Sequence, residues 1–381
     1  MKRQPHYLPL LCGAAAVILG GFMLLLAGGQ KDTASQLVIG TYGENVYLYT
    51  FDHKDGTFTL DGKAEARNAS YALPTPGKDG LKHIYAVSEV GVESGAYSFK
   101  ADKNDLEKTA YKQQTGADPC VVLLYDGGKY MMTADYSGGS ISAFPIADGV
   151  IGDLCTSISF TGEGPDKSRQ ESSHIHQLKE LPGQSSRWIL ASDLGADVIR
   201  LVKVQDSETE NGISLQHIKD IPCPAGSGPR HMEFDQDYTI LYCIAELSGE
   251  VLVYDISNKD TVPSFELVQQ IQADEVNAGG SADIHIHPNG KWLYTSHRLD
   301  NDGISVFSIL PDGTLEKTGY SRTGRHPRNF MITDDGSYPL VACRDDKLIQ
   351  VFKINSDGSL TLTESVLRFQ DDMPSSILGS F

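Results

Sequence analysis

The sequence has no run of five basic residues, and its 32 Lys and Arg are outnumbered by 50 Asp and Glu, for a formal net charge of −18. That balance argues against nucleic acid as a partner, since a phosphate backbone is bound by clustered cations that displace its counterions. It argues equally against a polybasic membrane patch. Cysteine is sparse and irregular. Of six, five lie beyond the N-terminal segment (Cys120, Cys155, Cys223, Cys243 and Cys343), with no C-x-x-C or zinc spacing. Such an odd set does not read as a disulfide framework, and buried thiols acting as small hydrophobes are expected instead. Charged residues at 22% rule out a multispanning membrane protein and a disordered chain. Long apolar stretches are missing, with one exception. Met1-Lys2-Arg3 precedes nearly unbroken apolar sequence from Leu8 to Leu26 and the small residues Ala27-Gly28-Gly29. Residues 1–29 therefore read as a signal peptide or a retained membrane anchor. Either way the folded part is expected to be exported, periplasmic or anchored facing the periplasm.

Helical periodicity is scarce as well, and what takes its place is a repeat. Apolar or aromatic stretches of four to six residues alternate with Gly, Asp, Asn and Pro clusters, the pattern of an all-β protein. One strand type recurs as Leu37-Val-Ile-Gly40, Ile84-Tyr-Ala-Val87, Tyr130-Met-Met-Thr133, Trp188-Ile-Leu-Ala191, Leu241-Tyr-Cys-Ile244, Trp292-Leu-Tyr-Thr295 and Pro339-Leu-Val-Ala342. The small residues Gly40, Ser88, Ala134, Ser192, Ala245, Ser296 and Ala342 close the copies, at intervals of 48, 46, 58, 53, 51 and 46. That is the period of a four-stranded propeller blade with loop insertions. Each copy continues into an alternating strand such as Ile304-Ser-Val-Phe307. Several then reach an Asp-Gly pair, Asp55-Gly56, Asp312-Gly313 or Asp357-Gly358, expected to form a type I′ turn. Inner strands are expected over Ala69–Leu73, Cys120–Leu124, Ile175–Leu178, His231–Asp235, Ala282–His287 and Asn329–Thr333. The first copy has none, so the C-terminal stretch Ser376–Phe381 is expected to complete that blade and close the ring. One domain, a seven-bladed β-propeller over residues 37–381, is the resulting expectation.

Inner-strand starts and second-strand ends meet at one mouth of the central channel, and the chemically loaded residues concentrate there. At inner-strand starts stand Asn68, His174-Ile-His176, Arg230-His231 and Arg328; at second-strand ends stand Glu89, Asp135, Asp193, Glu246 and His297-Arg298. His174 and His176, two apart on a strand, should share a face. Such a pair can bind zinc or copper, but no third ligand follows at a tell-tale spacing, so a catalytic or substrate-binding role without metal or cofactor is favoured over metal and over packing. His285-Ile-His287 repeats the pattern, and a structural or surface role is expected there. Arg230 and Arg298 suit a carboxylate or phosphate, with a structural ion pair to Asp193 or Glu246 as the alternative.

The motifs Gly40-Thr-Tyr42, Asn68-Ala-Ser-Tyr71, Asp135-Tyr-Ser-Gly-Gly139, Arg169-Gln-Glu-Ser-Ser-His174-Ile-His176, Asp193-Leu-Gly195, Gly226-Ser-Gly-Pro-Arg-His231 and Ser296-His-Arg298 occur in that order. Together they resemble the seven-bladed propeller lactonase family of bacterial 6-phosphogluconolactonases and fungal carboxymuconate cyclases. The resemblance runs from about Leu37 to Phe381. It implies a site of one His, two Arg and one Glu, carried here by His174 or His176, Arg230, Glu246 and Arg298. Asn68, Glu89, Asp135, Asp193, His231, His297 and Arg328 are the accompanying substrate-binding candidates. Asp135 and His297 stand where the family usually shows Asn, which would add a carboxylate and an imidazole near the mouth. The implied activity is metal-free opening of a small anionic sugar lactone by a monomer, with His as general base and Arg as anion and oxyanion holder. Muconate cyclisation and a non-catalytic ligand-binding propeller are the alternatives. An export segment sits oddly with 6-phosphogluconolactone, a cytoplasmic compound in the family's better-known members.

Overall fold

The recurring apolar stretches form the second strand of each of seven antiparallel sheets in the computed structural model, which describes residues 33–77, 80–102, 105–182, 187–207, 212–258 and 261–379. Residues 1–29, the expected export segment, lie outside these. Among the described residues no helix is long and apolar enough to cross a membrane, and the helical content is one 3-10 turn at Gly91–Glu93. Second strands such as Ile240–Ala245 are buried along their whole length, because each is covered by a neighbouring sheet on both faces. Outer strands such as Ser264–Gln272 alternate between half-buried and exposed positions, as a strand with one solvated face must. Seven buried clusters result, each shared by two adjacent sheets.

The ring closes as the sequence reading expects. Met373–Gly379 pairs antiparallel with Ala34–Tyr42, so a C-terminal strand is the inner strand of the N-terminal blade. Ile377 buries its side chain there among Leu37, Ile39, Met331 and Leu340. Ile377→Ala should lower unfolding stability by about 2–5 kcal/mol, from lost transfer energy plus the cavity left at the seam. Urea titration reads this directly, and a change under about 0.5 kcal/mol, the scale of a surface substitution, would mean the seam carries little of the fold.

Two local expectations are corrected, and one outer strand is irregular. The second sheet's inner strand is Ala72–Pro76 rather than Ala69–Leu73, because Asn68 adopts a positive φ of 46° and the chain turns before extending. The third sheet's outer strand is split into Val150–Ile151 and Thr156–Ser159. The Asp-Gly turns are not type I′: Gly56, Gly313 and Gly358 have φ of 71°, 82° and 83°, but the preceding aspartates do not share that region. Instead each Asp carboxylate accepts the backbone N–H two residues on, from Thr57, Thr314 and Ser359, all at 3.0 Å. The five described cysteines are free thiols.

The feature that shapes the channel is an irregularity. In six of the seven sheets the inner strand slips register near its start. The residues left without a direct partner are Cys120, His176, Arg230 with His231, Ala282 with Asp283, Arg328 and Ser375. A bulge puts an extra residue on one strand and re-aims its side chain. Here the re-aimed side chains come from six positions around one axis.

Candidate active site at the channel mouth

A cavity of about 280 Å³ occupies one end of the channel, lined by Tyr42, Glu89, Cys120, Tyr136, Arg169, His176, Glu246, Gly279, Arg298, Leu299 and Arg328. His176 is the one histidine in this lining. Its ring meets Tyr136 edge-on at 5.5 Å, and its closest polar contact is Cys120 Sγ, 3.8 Å from Nδ1. Burial, with Arg230, His231 and Arg328 nearby, pushes the imidazole well below its ordinary range, so it is neutral and able to accept a proton or hydrogen bond. Cys120 is no competing nucleophile, because burial pushes its thiol up and keeps it protonated.

Glu246 is the electrostatic hub. Its Oε1 accepts from Arg169 Nη2 at 2.6 Å, while Oε2 lies 2.7 Å from Arg230 Nε and 3.1 Å from Arg298 Nη2. Arg230 lies beneath the cavity, with its Nη1 donating to the Ala282 carbonyl. Despite the short ion contact, its Nε–H is not directed at any acceptor. Arg298 is anchored through Nε to the Gly280 carbonyl at 2.8 Å, and the next residue, Leu299, has φ of 81° at the cavity rim. A branched side chain in that region signals strain, kept where the surrounding turn over-determines it. Burial, opposed by Glu246, pushes Arg298 down to about 9, with three neighbouring guanidinium groups adding to the fall. Arg328 differs from the others. It stacks over the Tyr42 ring at 5.1 Å and makes no hydrogen bond or salt bridge with any described residue. Glu89 accepts from Oη of the same tyrosine at 2.8 Å. Four guanidinium groups thus surround two carboxylates at the mouth of a strongly acidic protein.

A family model described as "Lactonase, 7-bladed beta-propeller" matches residues 36–377. The chain belongs to that family. Among curated relatives, the 6-phosphogluconolactonase of Formosa agariphila is 32% identical over 320 residues, 82% of this chain and 88% of the relative. That of Bacillus subtilis is 28% identical, over 86% and 94%. Among solved structures, a proposed 6-phosphogluconolactonase from Bacteroides fragilis superposes with a TM-score of 0.84 at 35% identity, covering 92% of this chain and 99% of that one. A periplasmic gluconolactonase from Pseudomonas aeruginosa follows at 0.79 and 26%, covering 91% and 99%.

Against this lactonase frame, the residues singled out from sequence divide into two groups. Glu89, His176, Glu246, Arg298 and Arg328 come together in the cavity, with Arg230 directly behind Glu246. The others do not reach it. His174 does not share a face with His176, because the slip between Ile175 and Gln177 separates them. Its ring stacks on Tyr136 at 4.4 Å, with Nδ1 3.0 Å from the Tyr136 carbonyl and Nε2 3.4 Å from Glu171. Asp135 adds no carboxylate to the mouth; it is fully buried in its own sheet, accepting from Thr133, Ser140, Ser142 and the Gly116 amide. Burial pushes it up to about 6 against those donors. His297 is buried between Ser281 and Thr295 hydroxyls at 2.8 and 2.9 Å, and burial pushes it down to about 3. Asp193 clamps Arg200 at 2.7 Å, so it is not the partner of Arg230. Asn68 donates to the Glu89 carbonyl at 3.1 Å and supports that corner from behind. His231 belongs to the lower half of the channel, as does His285, while His287 bonds the Gly336 carbonyl at 2.9 Å.

Tyr42, Tyr136 and Arg169 line the cavity although sequence reasoning gave them no role. Arg169 is the informative omission. It sits on the loop of residues 160–174, held by Gln170, whose amide donates to the Leu194 carbonyl at 2.9 Å and to Asp197 at 2.7 Å. The adjoining pair Arg169-Gln170, one residue to present and one to anchor, was the available signal.

Proposed function

We propose that the protein hydrolyses a sugar lactone carrying a negative charge, of the 6-phosphogluconolactone class. The observation that carries this reading is Arg328, a guanidinium with no salt bridge to any described residue, which faces the same cavity as His176 and Arg298. Glu89 and Glu246 act on it through space, and its N–H donors, used by no described residue, are open to a carboxylate or phosphate, which a guanidinium meets bidentately. The relatives named 6-phosphogluconolactonase support the reaction type. His176 removes a proton from the attacking water, and Arg298 with Arg328 receives the charge that develops on the carbonyl oxygen or sits on the substrate. The product acid passes its proton to the departing ring oxygen, so each turnover releases one proton, the one that His176 took from water. Glu246 keeps Arg169, Arg230 and Arg298 from repelling one another apart before the anion arrives. The apolar segment over 1–29, together with the likeness to a periplasmic gluconolactonase, supports action outside the cytoplasm. That location favours an unphosphorylated aldonolactone, or one charged through a carboxylate, as the second substrate reading.

Proton release from glucono-δ-lactone and from its 6-phosphate, above spontaneous opening, tests the reading. Arg328→Met should raise KM for the phosphate by about tenfold or more, the worth of one charge-assisted hydrogen bond, and leave KM for the uncharged lactone nearly unchanged. Equal effects on both would remove Arg328 as the anion holder. No opening of either lactone by the wild-type protein would end the sugar-lactonase reading for these substrates.

A further inference from the structure

The channel continues below the cavity just described, and its lower half holds titratable groups that the proposed mechanism leaves idle. A second chamber of about 330 Å³ lies at the opposite end, its wall including Lys179, His231, Glu233, Asp283, His285 and Asn329. Asp283 is buried and stands at the centre of this group. Its Oδ1 lies 2.6 Å from His231 Nδ1, and its Oδ2 lies 3.0 Å from His285 Nε2 while also accepting from the Phe330 amide at 3.1 Å. A carboxylate only accepts, so the His231 proton resides on Nδ1 and Nε2 presents a lone pair. That Nε2 is buried and has no hydrogen-bond partner among the described residues.

Between the two chambers is a constriction of about 10 Å³, lined by His176, His231, Arg230, Arg328 and Asn329 among others. This is room for about one water, and the polar lining is what such a water needs. The His176 and His231 rings face each other across it edge to face, with centroids 5.2 Å apart. A base oriented by a carboxylate, with its second nitrogen free, is the arrangement that receives protons in nucleophile–base–orienter sites.

We infer that His231, oriented by Asp283, is a proton relay behind His176, which carries the proton of the hydrolytic water through the constriction into the lower chamber. This rests on the lactonase reading above. Each hop moves one proton and no electrons: water gives one to His176, the imidazolium passes one through the constriction water to His231 Nε2, and His231 then gives up its Nδ1 proton by way of the Asp283 carboxylate to water in the lower chamber, whose wall both residues share. The direction follows from charge. Upward, the proton faces Arg169, Arg298 and Arg328 at the open mouth, where Glu246 is already shared among three guanidinium groups and Glu89 is held by Tyr42. Downward, it must pass Arg230 and Arg328 at the constriction, but it is drawn by Asp283, with Glu233 beyond, itself paired to Lys179 at 2.7 Å. His285, a third exposed on its side chain, hydrogen-bonds the far oxygen of Asp283 and holds the carboxylate in line.

The test is lactone turnover by His231→Gln at low and high concentrations of imidazole buffer. The expected result is a kcat lowered about tenfold or more at low buffer, with KM unchanged, and restored as imidazole replaces the relay. Asp283→Asn should behave alike, and His285→Gln, on the more exposed side, should show a smaller loss of the same kind if either buried variant fails to fold. A kcat equal to wild type at low buffer, or a loss that imidazole does not restore, overturns the relay. Wild-type protein that opens no lactone would instead indict the lactonase reading, so the two failures are distinguishable.

Discussion

His176→Gln is expected to lower kcat for lactone opening by about 10²–10⁴-fold while changing KM little, the usual range for removing a general base. Glutamine keeps a polar group of similar reach, so binding through the arginines survives and the loss falls on the chemical step. The argument rests on placement. His176 alone among the described histidines lines the upper cavity, and beyond its ring contacts with Tyr136 and His231 its nitrogens have just the long contact to Cys120 Sγ among the described residues. Its basicity in the free site is poor, because burial and the nearby guanidinium groups of Arg230 and Arg328 disfavour the imidazolium. A bound anion offsets those same charges, so the substrate itself should raise the basicity of the residue that activates the attacking water. One consequence is that kcat/KM, which reports the free enzyme, should show no acid limb near pH 6.5, where an ordinary histidine would place one. His174→Gln is the control. That ring is committed to Tyr136 and Glu171, so its loss should act on stability and leave kcat within about threefold. If His176→Gln retains kcat within the same margin, the base lies elsewhere.

The propeller was legible because it repeats. Seven copies of one buried strand, each ending on a small residue, leave little choice of architecture, and the unpaired first copy demanded the C-terminal strand that closes the ring. The mouth residues were legible as a set for the same reason: topology alone puts strand starts and strand ends together. What could not be read was which of them face inward. Strand periodicity places His174 and His176 on one side, but a bulge at that point breaks the period, and nothing in the spacing of two histidines announces it. The same slip aims Arg328 and Asp283 into the channel. Asp135 and His297 misled for a related reason. They end second strands, one position short of the corner, and their side chains turn back into hydroxyl-rich pockets of the sheet. Arg169 was missed because it belongs to a loop rather than to the repeat.

Glu246→Gln is expected to cost about 3–5 kcal/mol of stability, because it removes the one carboxylate shared by three buried or half-buried guanidinium groups. The amide keeps the shape and loses the charge, so the penalty is that of leaving cations uncompensated. Burial alone would push this carboxyl up, but Arg298, Arg230 and Arg169 override it and hold it at about 2, against an ordinary value near 4.5. A depressed carboxyl contributes stability that is full above about pH 4.5 and is lost as pH falls toward 2. Two and a half units correspond to about 3 kcal/mol, consistent with the expected cost. The buried histidines act in a different window. Burial pushes His231 to about 4 and His297 to about 3, so the unfolded chain binds protons below about pH 6.5 that the folded one refuses. Wild-type stability should therefore fall in two stages, first below about pH 6.5 and again below about 4.5. Glu246→Gln should begin lower, keep the first stage and show a reduced second one, because Asp283 and Asp372, also held below the usual carboxylate range, still contribute to it. Urea midpoints measured from pH 7.5 to the acid limit of folding separate these stages, and an unchanged midpoint at pH 7 would show that the arginines, not the glutamate, hold the mouth together. Activity should fall with it, since Arg298 and Arg169 lose the group that sets their distance from the substrate.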